Sequence, residues 1–272
     1  MTTRTGVLPR SPLIYALASV RFAPWPLFDK HIAEIQDQLR DTVPLINRIQ
    51  LTQTNTNTPM GVAASNVQTA WMLMPSDKRF GIQLSEDQLL MISDNYVHYE
   101  EFASIFTQAL DRLHTHMRFI DVANMGVRYV DHIKPRDNEN IGLYINDRLL
   151  PPRIKDYENR SGHVFCEYTK DELNLRVNAV SIPGAPAVPQ DLISVLVMLR
   201  ASRSRQPLDL QALKSNELLL DMDAVYSPNG LTRMNSTEIT ARLGQLHSLA
   251  NGFFRAHDVC TDHAFKVWKG EA

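Results

Sequence analysis

What this chain of 272 residues has little of narrows its chemistry first. There are two cysteines, Cys166 and Cys260. They are too few and too far apart to build a disulfide framework, and reduced thiols fit a cytoplasmic protein. Glycines number only eleven, and no Gly-x-x-x-x-Gly-Lys loop is present to cradle a phosphate. The Gly-x-Ser-x-Gly elbow, His-Glu-x-x-His and Cys-x-x-Cys are missing as well, which disfavours the enzyme classes built on them. Charge of one sign is also lacking: 28 Lys and Arg stand against 30 Asp and Glu, a formal net charge of −2. Nothing in that balance attracts nucleic acid or an anionic membrane over a distance. The longest apolar run, Leu192 to Leu199, is under half the roughly 20 residues that cross a bilayer. The opening residues lack the apolar stretch and small-residue cleavage site of a secretory signal. These absences predict a cytoplasmic, non-enzymatic protein with no cofactor, no metal and no membrane partner.

What is present is ordinary globular material, 44% hydrophobic and 21% charged, in a length that suits one large domain or two of about 130 residues. Ile14, Ala16, Ala18, Val20 and Phe22 alternate with Tyr15, Leu17, Ser19 and Arg21, which predicts a strand ended by the turn at 23–26. Phe28, Ile32, Ile35, Leu39 and Val43 recur at helical spacing. Short strands are then expected at 46–52, 67–74, 80–84 and 88–92, in an antiparallel meander. Phe102, Phe106, Leu110 and Leu113 mark a helix of about five turns. It leads into Asp121–Ile133, where Ala123, Met125, Val127, Tyr129 and Ile133 line an apolar face and Asn124, Gly126, Arg128 and His132 the other. A polar stretch, 134–140, reads as a linker. Beyond it, strands are expected at 162–169, 172–182, 191–202 and 217–226, then a helix from about 236 whose start is marked by Asn235 and Glu238. The resulting expectation is an α+β protein of two lobes, residues 1–134 and 141–272, each an antiparallel sheet covered by one long amphipathic helix. Leu243, Leu246, Ala250 and Phe253 form the inner face of the second helix.

Several polar groups invite a functional reading. Arg21, Arg128, Asp131 and His247 lie on or beside buried faces, where charges persist mainly when paired, so they are expected to be structural. Asp221 and Asp223, two apart in a strand, share one face, where two carboxylates suit a divalent cation, acid/base work, or neighbouring arginines. His114 and His116 point about 200° apart on a helix and cannot chelate one ion together. The cluster His257, Asp258, Cys260, Asp262 and His263 matches no structural zinc spacing. Arg200, Arg203 and Arg205 form the one basic cluster, placed to grip phosphates or a partner.

Pro12-Leu-Ile-Tyr-Ala-Leu-Ala-Ser-Val-Arg-Phe22, Tyr99-Glu-Glu-Phe102, Gly126-Val-Arg-Tyr-Val-Asp131, the strand ending at Asp223, and Leu246-His247 followed by Phe253-Phe254 carry a resemblance across most of the chain. It resembles a sporadically distributed family of uncharacterised prokaryotic proteins of similar length. Their opening reads Pro-Leu-x-Glu-(apolar)-x-Ile-Arg-Phe and their centre Gly-x-Arg-Tyr-x-(Asn/Asp). The chain departs from that pattern at Tyr15 and Ala16, where an acidic residue is usual. The patchy distribution implies an accessory role: an immunity protein or antitoxin that binds a cognate protein toxin, such as a nuclease, encoded nearby. Arg200, Arg203, Arg205, Asp221 and Asp223 would then meet the partner. A metal-dependent hydrolase using Asp221, Asp223 and His263, and a nucleic-acid sensor using the three arginines, remain open alternatives.

Overall fold

The alternation at the start of the chain forms strand β1 (Leu13–Phe22), and the computed structural model, which describes residues 4–55, 64–201 and 210–271, places it near the middle of one large sheet. Helix α1 (Phe28–Gln38) buries Phe28, Ile32 and Ile35, the positions its spacing marked. The expected meander follows as β2 (Leu45–Asn55), β3 (Ala64–Met74), β4 (Phe80–Ser85) and β5 (Gln88–Ser93), each antiparallel to the one before. Helix α2 (Tyr99–Met117) starts at His98, whose ring nitrogen accepts the Glu101 amide at 3.4 Å. It leads into the long strand β6 (Ile120–Ile133).

After two short 3-10 turns come β7 (Gly162–Lys170) and β8 (Leu173–Ser181), a hairpin, then helix α3 (Ile193–Ala201) and strand β9 (Leu218–Tyr226). A short strand, β10 (Thr232–Met234), precedes α4 (Ser236–Phe254), which begins with the capping box of Asn235 and Glu238. Helix α5 (Asp262–Lys269) opens on the Thr261 hydroxyl and ends at Gly270. At φ +76°, that residue suits a side-chain-free cap. No helix among the described residues is long and apolar enough to cross a membrane.

The strands are joined in the order β2-β3-β4-β5-β1-β6-β9-β8-β7, with β10 extending the line of β9 along β6. This departs from the expectation of one sheet per lobe. Strand β6 pairs with β1 on one side and β9 on the other, so the stretches 1–134 and 141–272 contribute to a single antiparallel sheet. Helices α2 and α4 meet on the same face, where Thr107 and Thr240 hydroxyls lie 3.2 Å apart. The larger core fills that face with Phe106, Leu110, Leu113, Val127, Met222, Leu243 and Leu246. Polar residues 134–140 are tied down: the Glu139 carboxylate accepts from Arg136 and Tyr144, and the Arg136 guanidinium above all holds its pKa down at about 2.

Two further expectations are corrected. Of the stretch expected as a strand at 191–202, the described residues, 191–201, form none. A 3-10 turn at Gln190–Leu192 passes into α3, and together they lie on the second face of the sheet and bury Leu192, Leu196 and Leu199 against Tyr15, Leu17, Val130 and Leu219. Those three leucines stand at i, i+4 and i+7, the helical pattern, while the interleaved Ile193, Val195 and Val197 imitate a strand. On α4 the inner position belongs to Phe254, 7% exposed, whereas Phe253 is only half-buried beside Tyr168.

Candidate ligand pocket

Strand periodicity places Tyr129 and Asp131 on the same side of β6, facing α4. Helix periodicity brings His247, Ala250, Asn251 and Phe254 of α4 over them. Between these walls, the loop from β5 to α2 (residues 94–98) and the segment at 6–11 enclose a cavity of about 610 Å3, open to solvent. That is within the range of about 300–1,000 Å3 typical of small-molecule sites. Arg255 holds the outer wall by donating to the backbone carbonyls of Arg4 and Gly6. Arg4 reciprocates with bonds of 2.9–3.1 Å to the carbonyls of Arg255, Ala256 and Cys260.

The lining is aromatic. The Tyr99 ring stacks on the His247 imidazole at 3.9 Å and 6°. Nδ1 of His247 lies 2.7 Å from the Tyr129 hydroxyl. Tyr96 packs edge-on to both Tyr129 and Phe102 at 5.6 Å. Burial dominates the electrostatics, because removing water penalises whichever form carries charge. It pushes the Tyr99 hydroxyl up to about 12, raises Tyr96 and Tyr129, and takes His247 down to about 4, so the imidazole is neutral at pH 7. It also lowers Arg255.

Asp131 is the exceptional member. It is 3% exposed, and burial first, then the Asp221 carboxylate, raises it to about 8. At neutral pH it is a carboxylic acid, able to donate as well as accept. It lines the pocket, and no hydrogen bond or ion pair joins its side chain to another of the described residues. Tyr96, Tyr99 and the 6–11 segment were not foreseen as site residues. The signal available in sequence was Asp131 itself, an acid on the apolar side of β6.

The remaining expected site residues are distributed differently. Arg128 is paired with carboxylates: it donates to Asp221 at 2.7 and 2.8 Å and to Asp191 at 2.6 and 3.2 Å. Burial alone would lower its pKa, but the two carboxylates raise it well above the ordinary value. Arg21 forms no ion pair among the described residues and faces a groove with Arg128, Asp191 and Asp223. Asp221 is 3% exposed beneath that ion pair. Asp223 is partly buried in the groove, and burial raises its pKa. His263 stands on α5, 3.1 Å from Glu139 and edge-on to Tyr144, and nothing joins it to either aspartate. Of the rest of its cluster, Asp258 pairs with Arg148, Asp262 pairs with Arg4 and lies 3.5 Å from His257, and Cys260 is buried. The backbone of Arg200 lies in the last turn of α3, and Arg203 and Arg205 lie outside the described residues. No family model matches this chain, and no curated protein does.

Proposed function

We propose that the protein is a non-enzymatic binding protein. Its pocket takes a small polar ligand with a planar face and at least one hydrogen-bond acceptor. One observation carries this reading: a buried, protonated Asp131, without a hydrogen-bond partner among the described residues, in the wall of an aromatic cavity. An unpaired buried polar group costs about 1–3 kcal/mol, and an acceptor delivered by a ligand removes that cost. The Tyr99–His247 stack supplies a flat neutral wall, and the neutral imidazole does not repel a cationic ligand. Thermal-shift screening with carboxylates, purines, pyrimidines and sugars tests the idea. A true ligand at a hundred times its Kd stabilises by about 2.7 kcal/mol, and Asp131→Leu abolishes that gain. Hits that bind equally well to Asp131→Leu and Tyr99→Ala refute it.

A second reading, neutralisation of a cognate protein toxin in the cytoplasm, is favoured by a different surface. β7 is the outermost strand at its end of the sheet and exposes Phe165 (57%) and Tyr168 (43%). An edge strand with bare aromatic side chains is a template for strand addition by another protein. The family resemblance supports a toxin, such as a nuclease from an adjacent gene, as that protein. Calorimetry between this chain and the products of neighbouring genes tests it. Binding that survives Phe165→Ser with Tyr168→Ser moves the interface elsewhere, and no binding to any of them removes the reading.

A further inference from the structure

We propose that His31, Glu34 and His116 bind one zinc ion, fastening α1 to the end of α2. His31 and Glu34 are three apart on α1 and so share a face, with His31 Nδ1 lying 3.7 Å from Glu34 Oε2. His116, in the last turn of α2, completes a set in which one ligand atom of each residue lies within 4.8 Å of the others. The two imidazole centroids are 4.7 Å apart. Trp25 backs them both, stacked on His31 at 5.3 Å and on His116 at 6.2 Å, which limits the directions the rings can take.

A surface ion pair between His31 and Glu34 accounts for two of the three residues only. It leaves His116 Nε2, which is shut off from solvent and has no hydrogen-bond partner among the described residues. Buried polar atoms without partners are rare enough to need a reason, and a metal ligand bond is one. Two imidazoles and a carboxylate are a donor set suited to zinc, with bonds of about 2.0–2.2 Å and a fourth position left for water. Tetrahedral geometry at those bond lengths places ligand atoms roughly 3.3 Å apart. Closing the set from within 4.8 Å takes small side-chain shifts, and Glu34, whose side chain is 59% exposed, is free to change rotamer. The helical opposition of His114 and His116 is consistent with this arrangement: His116 finds its partners on another helix.

The full-length chain, stripped with a chelator, is titrated with zinc chloride in a calorimeter, and cobalt(II) is added in parallel as a spectroscopic probe. The expected result is one zinc per chain, a higher Tm with zinc, and the visible absorption of tetrahedral cobalt. His31→Ala, His116→Ala and Glu34→Gln each weaken binding by at least the 10–100-fold that outer-shell losses cost, and His114→Ala leaves it unchanged. Glu34→Gln sits at an exposed position, so its folding is not at issue if a histidine variant fails. Absence of stoichiometric zinc binding, or binding indifferent to His116→Ala and Glu34→Gln, overturns the proposal.

Discussion

Asp131→Asn keeps the shape of the side chain and removes its titration, and the effect has a definite sign. In the folded protein Asp131 titrates at about 8, against 3.8 without the fold. Between those values the folded state holds a proton that the unfolded chain releases. The associated stability is fully present below about pH 4 and is lost as pH rises toward 8. Each unit is worth about 1.4 kcal/mol, so by pH 7 the wild type has lost roughly 4 kcal/mol that the variant retains. The new amide finds no partner either and costs about 1–3 kcal/mol at every pH. The slope is therefore the decisive quantity. Urea unfolding at intervals from about pH 4 to pH 8 should show the variant gaining on the wild type throughout that range. Parallel stability curves for the two proteins would refute both the buried acid and the burial argument that makes it one.

Arg128→Ala should cost about 3–5 kcal/mol, because it strands the buried Asp221 carboxylate; Asp191→Ala, at an end that is 64% exposed, should cost less than about 1 kcal/mol in the same urea titration. Phe106→Ala should cost about 3–5 kcal/mol, whereas the half-buried Phe253 should give up a clearly smaller amount, and equal losses would misplace α4. His247, lowered to about 4 by burial, makes stability decline as pH falls from 6.5 toward 4. The trend opposes that of Asp131, so it is best measured in the Asp131→Asn background, where adding His247→Gln should flatten it.

The elements that alternate or recur at helical spacing were legible: β1 to β6, β7 to β9, α1 and α2, and, through Asn235 and Glu238, the start of α4. Local pattern does not specify which strands become neighbours. The pairing of β6 with β9 joins residues about ninety positions apart in the chain, and the single sheet follows from it. The error at 191–202 propagated. With α3 read as a strand, Asp191 was not available as the second acceptor for Arg128. The pocket was hidden for a related reason, since its walls come from four separated segments. Of its members, Asp131 and His247 stood out by their chemistry alone, and both were expected to be structural.

The pocket's construction couples occupancy to the completion of folding. It needs β6, the strap at residues 6–11 and the C-terminal part of α4, and Arg255 ties the strap to that helix. None of these parts makes the cavity by itself. At synthesis rates of about 5–20 residues per second, β1 waits several seconds for β6 to emerge, and the cavity waits longer for α4. A ligand that fits it therefore recognises only finished molecules. Its binding energy opposes global unfolding and leaves local fraying of β7 or the meander unaffected, so hydrogen exchange with ligand present should slow most in β1, β6 and β9.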